Sequence, residues 1–354
     1  MISIIGAGPA GSYLASLLAK EETAVFEEHE TIGTPVQCTG ITTQALAEII
    51  QIKKEFLINK INQIKIISPN KDSIQVKLKK PNLIIDRTKF DQHLVEKAQD
   101  EGVRFYTGYK YKDCKEENGK IRINFENGKK IETDILVGAD GPFSKVAKTT
   151  EMWQERKYAI GAQVRAKIET DPETTETHVG QGYFGWVVPE DNKTARIGIA
   201  TQNNPKEVFR NFLKKIKPEK VIENQSGLIP IYNPKQKTQK GNVYLVGDAA
   251  TQVKATTSGG IIQGMMAAEE LSKAIKQNKN YERLWKKRIG KDLWLSLMIR
   301  KKLDKLHDKK YNKLINMFNK DKLRQIIETH DRDYPSKFIF KLLLKEPRLL
   351  SFIF

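Results

Sequence analysis

Hydrophobic and polar positions follow three different periods along this chain. Short apolar runs, typical of buried parallel strands, precede helical stretches at the amino terminus and recur at residues 135–138 and 242–246. Residues 61–78 and 158–201 contain alternation with a period of two, which is typical of half-buried strands, and the Asn70-Lys-Asp turn within the first segment predicts a hairpin. Beyond about residue 280 the apolar positions follow a helical period. The pattern predicts an α/β protein with a parallel sheet, an antiparallel sheet and a C-terminal helical region.

The first apolar run leads directly into a glycine-rich turn, Gly6-Ala-Gly8-Pro-Ala10-Gly11, and a helix is expected over residues 12–20. In a Rossmann-type unit the first glycine permits the turn, the second admits a pyrophosphate to the backbone, and the third lets strand and helix pack closely. The helix then directs free N–H groups at the phosphates. Glu27, at the end of the next strand, has the spacing of the acid that binds ribose hydroxyls. These residues predict a dinucleotide site.

Later segments indicate which dinucleotide binds. One apolar strand ends in Asp140-Gly141 and another in Gly247-Asp248, and the second is followed by Gly259-Gly260-Ile261 and a helix expected over residues 263–276. This arrangement resembles the FAD-binding domain of the para-hydroxybenzoate hydroxylase-like flavoproteins. The resemblance implies FAD as the cofactor, with Asp248 on the ribityl chain and Gly259, Gly260 and Ile261 beneath the isoalloxazine ring. Arg87, after Ile84-Ile-Asp86, would also reach the cofactor.

Three segments resemble the geranylgeranyl reductase family more closely. They are Gly33-Thr-Pro35-Val-Gln-Cys38-Thr-Gly40, Tyr183-Phe184-Gly-Trp186-Val-Val-Pro189, and the stretch from Gly247 to Ile261. Members of that family use FAD to saturate double bonds of isoprenoid chains, including those of archaeal ether lipids. The resemblance covers residues 1–280, and the motif at residues 331–336 resembles the C-terminal part of these reductases. Departures from the family pattern at Val188 and Ala200 leave the shape of the substrate open.

The expected organisation is a discontinuous FAD-binding domain, a substrate domain and a C-terminal region. The boundaries that the pattern predicts are 1–51, 84–156 and 241–280 for the FAD-binding domain, 52–83 and 157–240 for the antiparallel-sheet substrate domain, and 281–354 for the basic helical region.

Cys38 is a candidate catalytic and cofactor-contacting residue, because the resemblance implies that it lies close to the flavin face. An ordinary thiol is mostly protonated at neutral pH, so it can donate a proton to a substrate carbon or tune the flavin. The alternative is a small buried hydrophobic residue without a chemical role.

The aromatic strand supplies the other candidate catalytic and substrate-binding residues. Reduction of an isolated alkene needs hydride on one carbon and a proton on the other, in a dry, aligned site. Trp186 and Phe184, together with Tyr183 and Pro189, can line an apolar tunnel for a polyprenyl chain. The alternative is that these side chains are ordinary sheet core.

The chain is strongly basic, with a formal net charge of +18 from 61 Lys and Arg against 43 Asp and Glu. Residues 286–324 contain fourteen of the basic residues and four acidic ones. An anionic membrane surface or an acidic protein fits such a surface, whereas nucleic acid is disfavoured because no nucleic-acid-binding motif is present. The alternative is that these charges are simply solvated.

The remaining features indicate an enzyme of the cytoplasm, either free or peripheral at the inner face of the membrane. No run of 18 apolar residues occurs, the first strand begins at residue 2, and two cysteines are too few for a disulfide framework. No metal site is expected from the spacing of the histidines and cysteines. Because the sequence holds one glycine-rich nucleotide motif, electrons are expected from transiently bound NADPH or from a carrier such as ferredoxin, which is usually acidic.

Two other functions remain open on the same fold. A flavin monooxygenase or halogenase shares the glycine-rich turn, Asp140-Gly141 and Gly247-Asp248, although it would not be expected to carry the Cys38 segment. An electron-transfer flavoprotein without a small-molecule substrate is the second alternative. Our leading hypothesis is an FAD-dependent reductase that saturates double bonds of isoprenoid chains, most readily those of membrane ether phospholipids.

Overall fold

The computed structural model describes residues 1–353. Its strands are β1 (Ile2–Ile5), β2 (Thr23–Phe26), β3 (Ile41–Thr42), β4 (Leu57–Ile67), β5 (Ser73–Ile85), β6 (Arg104–Tyr106), β7 (Tyr111–Glu117), β8 (Lys120–Phe125), β9 (Lys130–Thr133), β10 (Ile135–Gly138), β11 (Tyr158–Lys167), β12 (Thr174–Gly180), β13 (Tyr183–Pro189), β14 (Thr194–Thr201), β15 (Lys220–Pro230), β16 (Gln239–Lys240) and β17 (Val243–Leu245). Its α-helices are α1 (Pro9–Leu17), α2 (Ala45–Ile49), α3 (Arg87–Asp100), α4 (Lys145–Thr149), α5 (Pro205–Ile216), α6 (Ile261–Gln277), α7 (Tyr281–Trp285), α8 (Lys291–Leu303), α9 (Asp308–Phe318), α10 (Asp321–Thr329), α11 (Ile339–Lys345) and α12 (Leu350–Ile353), and one π turn joins α7 to α8.

The first layer is a six-stranded sheet with the order β16-β17-β10-β1-β2-β6. Strand β1 pairs in parallel with β2 and β10, and β10 pairs in parallel with β17. Every residue of β1 and β2 is buried, since α1 and its neighbours α3 and α6 cover one face and the aromatic cluster around Phe26 covers the other. The turns that follow β1, β10 and β17 therefore lie together at the carboxyl edge of the sheet.

The second layer is an eight-stranded sheet with the order β15-β11-β14-β13-β12-β4-β5-β3. Strands β4 and β5 form the hairpin that the sequence predicts around Asn70. The pairing of β4 with β12 is parallel, so this sheet is mixed, whereas its other pairs are antiparallel. Strand β14 is buried along its whole length because it lies inside the sheet and α5 packs against it.

The C-terminal helices form a hydrophobic cluster of their own and also pack on one face of the second sheet. Helices α9 and α10 contact β5, and their apolar side chains join those of Ile74 and Val76. Within residues 1–353, the helices are too short or too polar to cross a membrane.

Two helices begin earlier than the hydrophobic pattern predicted. Helix α1 begins at Pro9, three residues before Ser12, and the Ser12 amide already donates to the Gly8 carbonyl oxygen at 2.9 Å. Helix α6 begins at Ile261 instead of Gln263. Both starts adjoin glycine-rich segments without a clear apolar period, and in α1 the proline at the first position suits a helix start. Both helix starts thus belong to the segments expected to bind the dinucleotide.

Candidate functional site

A cavity of about 470 Å³ lies where the two sheets and the C-terminal helices meet. Its wall includes the turn after β1, the loop before β3, the turn after β17, the start of α6, one face of β12 and β13, and parts of α8, α9 and the segment before α11. Most of the candidate residues named from the sequence reach this wall, and they are Gly8, Ala10, Cys38, Arg87, Tyr183, Phe184, Trp186, Asp248, Gly259, Gly260 and Ile261.

The glycine-rich turn has the geometry that a dinucleotide requires. Gly6 has a φ of +103° and lies against the backbone of Ala139, where a side chain would collide. Open space lies beside Gly8, where a side chain would project into the cavity. The Ala7 amide donates to Glu27 Oε2 at 2.8 Å, so this carboxylate is fixed at the end of β2. Gly6, Gly11 and Glu27 shape the turn without lining the cavity itself.

The Asp248 carboxylate lines the cavity without a hydrogen-bond donor from any side chain of residues 1–353. Burial raises the pKa of Asp248 to about 6, although the nearby cations Arg87 and Arg156 oppose the shift. Gly260 lies so close to the carboxylate that an added Cβ would be 2.9 Å from Oδ1. A half-buried acceptor facing open space, beside glycine, suits the hydroxyl groups of a ribityl chain.

The loop that carries Cys38 is held from two sides. The Gly40 amide donates to Cys38 Sγ at 3.3 Å, and Arg196 donates to the Thr39 carbonyl oxygen at 2.5 Å. Arg87 makes two hydrogen bonds to Asp91, at 3.0 and 2.9 Å, while still lining the cavity. The thiol therefore has a fixed position in the wall.

Alternate side chains of the aromatic strand β13 point to opposite sides of the second sheet, and one side faces the cavity. Trp186 and Phe184 line the cavity with ring centroids 5.6 Å apart, and Trp186 donates its indole N–H to Gln163 Oε1 at 2.8 Å. The indole lies directly on Gly198 of β14, where a Cβ would overlap the ring. Pro189, expected among the substrate-binding residues, is buried and does not line the cavity, because it follows Val188 and alternate strand positions face opposite sides of the sheet; Phe184, Trp186 and Val188 share the cavity face.

The C-terminal region closes the cavity with side chains that the sequence did not single out as site residues. Asp333 accepts hydrogen bonds from Thr43 at 2.6 Å and from Gln263 at 3.1 Å, and it pairs with buried Lys254. One carboxylate thus connects the C-terminal region to the start of α2, the loop after β17 and the first turn of α6. Arg332 lines the cavity beside this group.

Arg156 is a second residue that sequence reasoning missed. Its guanidinium donates to the backbone oxygens of Pro142, Asp248 and Ala249 at 2.9, 3.3 and 2.6 Å, and stacks 4.0 Å above the Trp153 ring. It joins the loop after β10 to the turn that carries Asp248. No local pattern in the sequence marks it, since its hydrogen bonds all go to segments more than ten residues away.

The residues present fit FAD. Three features follow one another along the carboxyl edge of one sheet: the Glu27 carboxylate after β2, the open space at Gly8 after β1, and the unpartnered Asp248 carboxylate after β17. This is the order that adenosine, pyrophosphate and ribityl chain require. The start of α6 beyond Asp248 leaves its first N–H groups facing the cavity, where the flavin ring would follow.

Comparison with known proteins agrees with this geometry. A sequence profile of the FAD binding domain matches residues 1–280. A digeranylgeranylglycerophospholipid reductase of Methanocaldococcus jannaschii is 27% identical over 386 residues, which covers 99% of this chain and 96% of that protein. The digeranylgeranylglycerophospholipid reductase 1 of Methanococcoides burtonii is 28% identical over 348 residues, covering 88% of this chain and 85% of that protein.

Two solved structures share the fold. A geranylgeranyl bacteriochlorophyll reductase-like protein from Thermoplasma acidophilum has a TM-score of 0.84 with 23% identity, and the match covers 98% of both chains. The flavin-dependent brominase Bmp2 has a TM-score of 0.74 with 17% identity, again over 98% of both chains. Both the leading hypothesis and the halogenase alternative are therefore represented on this fold.

Proposed function

Because the chain belongs to the family defined by the FAD binding domain, we propose that it is an FAD-dependent oxidoreductase that saturates C=C bonds of isoprenoid chains, in particular those of membrane ether phospholipids. The observation that carries the proposal is the apolar face of β13, where Phe184, Trp186 and Val188 line the same cavity as Asp248 and the start of α6. The names of the relatives, digeranylgeranylglycerophospholipid reductases over most of the chain, support the same substrate class.

When bound, FAD supplies the hydride for the reduction. The chain's own residues hold the alkene and exclude water. The Trp186 indole is fixed by Gln163 and by the flat surface of Gly198, so it forms a rigid wall for an extended chain. Cys38 Sγ, held by the Gly40 amide in the same wall, is the proton donor that we propose.

The test is anaerobic incubation of dithionite-reduced enzyme with an unsaturated digeranylgeranyl phospholipid, read by mass spectrometry. Hydrogenated product is expected, and Cys38→Ser should retain FAD while the rate of product formation falls. Incubation with oxygen, NADPH and the same lipid distinguishes the monooxygenase alternative. Oxygenated product without any hydrogenated product would overturn the proposal.

We also propose that the enzyme reaches its substrate at an anionic membrane. Trp294, Phe340 and Leu344 are exposed to 45, 62 and 82%, and Lys291 lies 5.7 Å from the Phe340 ring, which places α8 beside α11. Exposed lysines flank this patch at positions 287, 291, 337, 341 and 345. Large apolar side chains within a ring of lysines suit the headgroup region of an anionic bilayer.

The electron donor that fits the same charge is an acidic carrier protein, since a basic surface accelerates its encounter with the enzyme. Anaerobic stopped-flow reduction by NADPH and by reduced ferredoxin, each across a salt series, separates the two donors. Fast reduction by NADPH alone would remove the need for a carrier.

A further inference from the structure

Within residues 1–353, one cation in the cavity wall lacks a hydrogen-bonded or ion-paired partner. The Arg332 guanidinium makes no hydrogen bond and no ion pair with any side chain or backbone group of residues 1–353, and its Nε atom is wholly buried. Asp331 stabilises its charge only through space, and burial lowers the pKa of Arg332. Arginine stays charged in proteins, so this cation lines the cavity without a hydrogen-bonded or ion-paired partner among residues 1–353.

The neighbouring acid does not neutralise it. Asp333, the next residue, is already committed to Lys254, Thr43 and Gln263. The Lys254–Asp333 pair is neutral as a whole, and burial together with the charge of Arg332 lowers the pKa of Lys254 to about 7.

Arg300 supplies a second cation to the same wall. It pairs with Asp304 through Nη2 at 2.5 Å, yet its buried Nε atom has no acceptor. Both arginines come from the C-terminal region, and Tyr311 lies beside Arg300 at the cavity. Guanidinium groups with free N–H donors are the side chains best suited to bind phosphate oxygens.

We propose that Arg332, with Arg300, binds the phosphate group of the substrate inside the cavity and so selects phosphorylated isoprenoids over uncharged ones. The proposal rests on the proposed function, because it assigns part of the same substrate. The phosphate belongs either to a glycerophospholipid or to a free prenyl diphosphate, and the chemistry of recognition is common to both.

The experiment measures binding to the oxidised, FAD-loaded enzyme in neutral detergent, from the change in the flavin absorption spectrum. Two matched pairs of ligands are used: digeranylgeranylglyceryl phosphate with its uncharged alcohol, and geranylgeranyl diphosphate with geranylgeraniol. The wild type should bind the charged member roughly tenfold or more tightly, as hydrogen bonds to charged groups allow. The pair with the larger ratio identifies the source of the phosphate.

The variants locate the effect. Arg332→Gln should remove the preference for the charged ligand while leaving the affinity for the alcohol unchanged. Arg332→Lys should keep part of the preference, and Arg300→Gln should reduce it. Arg122→Gln is the matched control, since Arg122 is an exposed arginine of β8 paired with Glu117 and Glu132. FAD content and melting temperature are recorded for each variant.

Two results would overturn the anion site: equal affinity of the wild type for both members of each pair, or an unchanged preference for the charged member in FAD-loaded Arg332→Gln. The proposed function fails separately. If the reduced wild-type enzyme yields no hydrogenated product but keeps its preference for the charged ligands, the reduction is refuted and the anion site stands.

Discussion

At the scale of single residues, the Asp248 carboxylate is the group whose hydrogen bonding depends most on a bound ligand. Its carboxylate is half-buried, lacks a side-chain donor among residues 1–353 and faces the space where a ribityl chain would lie. An unsatisfied, partly buried acceptor destabilises the protein without ligand, and the hydroxyl groups of the ligand would remove that cost. Binding of the cofactor is therefore expected to stabilise the fold strongly.

Replacing Asp248 tests this directly. Asp248→Ala should weaken FAD binding by about 1.5–3 kcal/mol, because hydrogen bonds to a charged acceptor are lost. The measurement is titration of the apoprotein with FAD, followed by flavin fluorescence. Asp171→Ala, on an exposed turn before β12, is the control. Flavin affinity equal to that of the wild type in Asp248→Ala would exclude this carboxylate from the site.

The pH dependence of FAD binding follows from the same group. The pKa of Asp248 in the protein without cofactor is raised to about 6 by burial. Because ribityl hydroxyls donate best to the ionised form, affinity should fall as pH drops from 7.5 through 6 to 5, and Asp248→Asn should lack this step.

A second residue-scale prediction concerns Gly198. The Trp186 indole occupies the position of any side chain there, so Gly198→Ala should displace the ring and destabilise the protein by about 1–3 kcal/mol. Denaturant unfolding measures the loss, with Gly290→Ala as the control for an added methyl group, because Gly290 has a helical φ of −60° and its nearest neighbour is the flexible Lys286 side chain. A change in stability no larger than in the control would show that the ring does not depend on this glycine.

The sequence revealed those residues whose contacts are local. Gly6, Gly8 and Gly11 share one turn, and Glu27 ends the adjacent strand, so their spacing alone was informative. Arg156, Gln163 and Arg332 were not found, because each acts through partners brought together only by the tertiary fold. Pro189 was placed by adjacency in sequence, which does not determine which face of a strand meets the cavity.

At the scale of secondary-structure elements, the alternation of residues 61–78 was enough to predict the β4–β5 hairpin, since alternation and a polar turn are properties of neighbouring residues. The parallel pairing of β4 with β12 could not be read from either strand alone. The same limit applies to Asp333, whose carboxylate connects three separate elements of the FAD-binding region.

Removing that carboxylate should loosen the C-terminal region. Asp333→Ala leaves the buried Lys254 ammonium unpaired, at a cost of about 3–5 kcal/mol in the free energy of unfolding. Since burial favours the neutral amine of Lys254, the variant should bind fewer protons folded than unfolded near neutral pH. Its stability should therefore rise between pH 7 and pH 9.

Thermal and urea unfolding at the two pH values give these quantities. Asp321→Ala, which removes an exposed ion pair to Arg324, should cost no more than about 1 kcal/mol. If Asp333→Ala behaves like this control at pH 7, the buried pair does not anchor the region.

At the scale of the whole molecule, the charge of +18 and the exposed patch of Trp294, Phe340 and Leu344 act together. Lysines near an anionic bilayer each contribute about 1 kcal/mol, and the contribution declines as salt screens the charges. The apolar side chains add attraction in proportion to the area that they bury. Binding should thus need anionic lipid and also depend on the patch.

Co-sedimentation with anionic and neutral liposomes across a salt series tests both the electrostatic and the apolar contribution to membrane binding. Phe340→Ser with Leu344→Ser should lower binding to anionic liposomes roughly tenfold or more, whereas Val221→Ser with Ile222→Ser on β15, both 42% exposed, should not. Equal binding of the wild type to neutral and anionic liposomes would contradict electrostatic docking.

The central position of β1 has a consequence for how the protein is made. Its two neighbours lie at very different distances along the chain. Strand β2 begins at Thr23, whereas β10 begins at Ile135, and β10 itself pairs with β17, which begins at Val243. During synthesis the first strand leaves the ribosome with one open edge long before its second neighbour exists. Such late, long-range pairing slows folding and exposes apolar edges to aggregation. Expression at low temperature or with chaperones should accordingly raise the soluble yield.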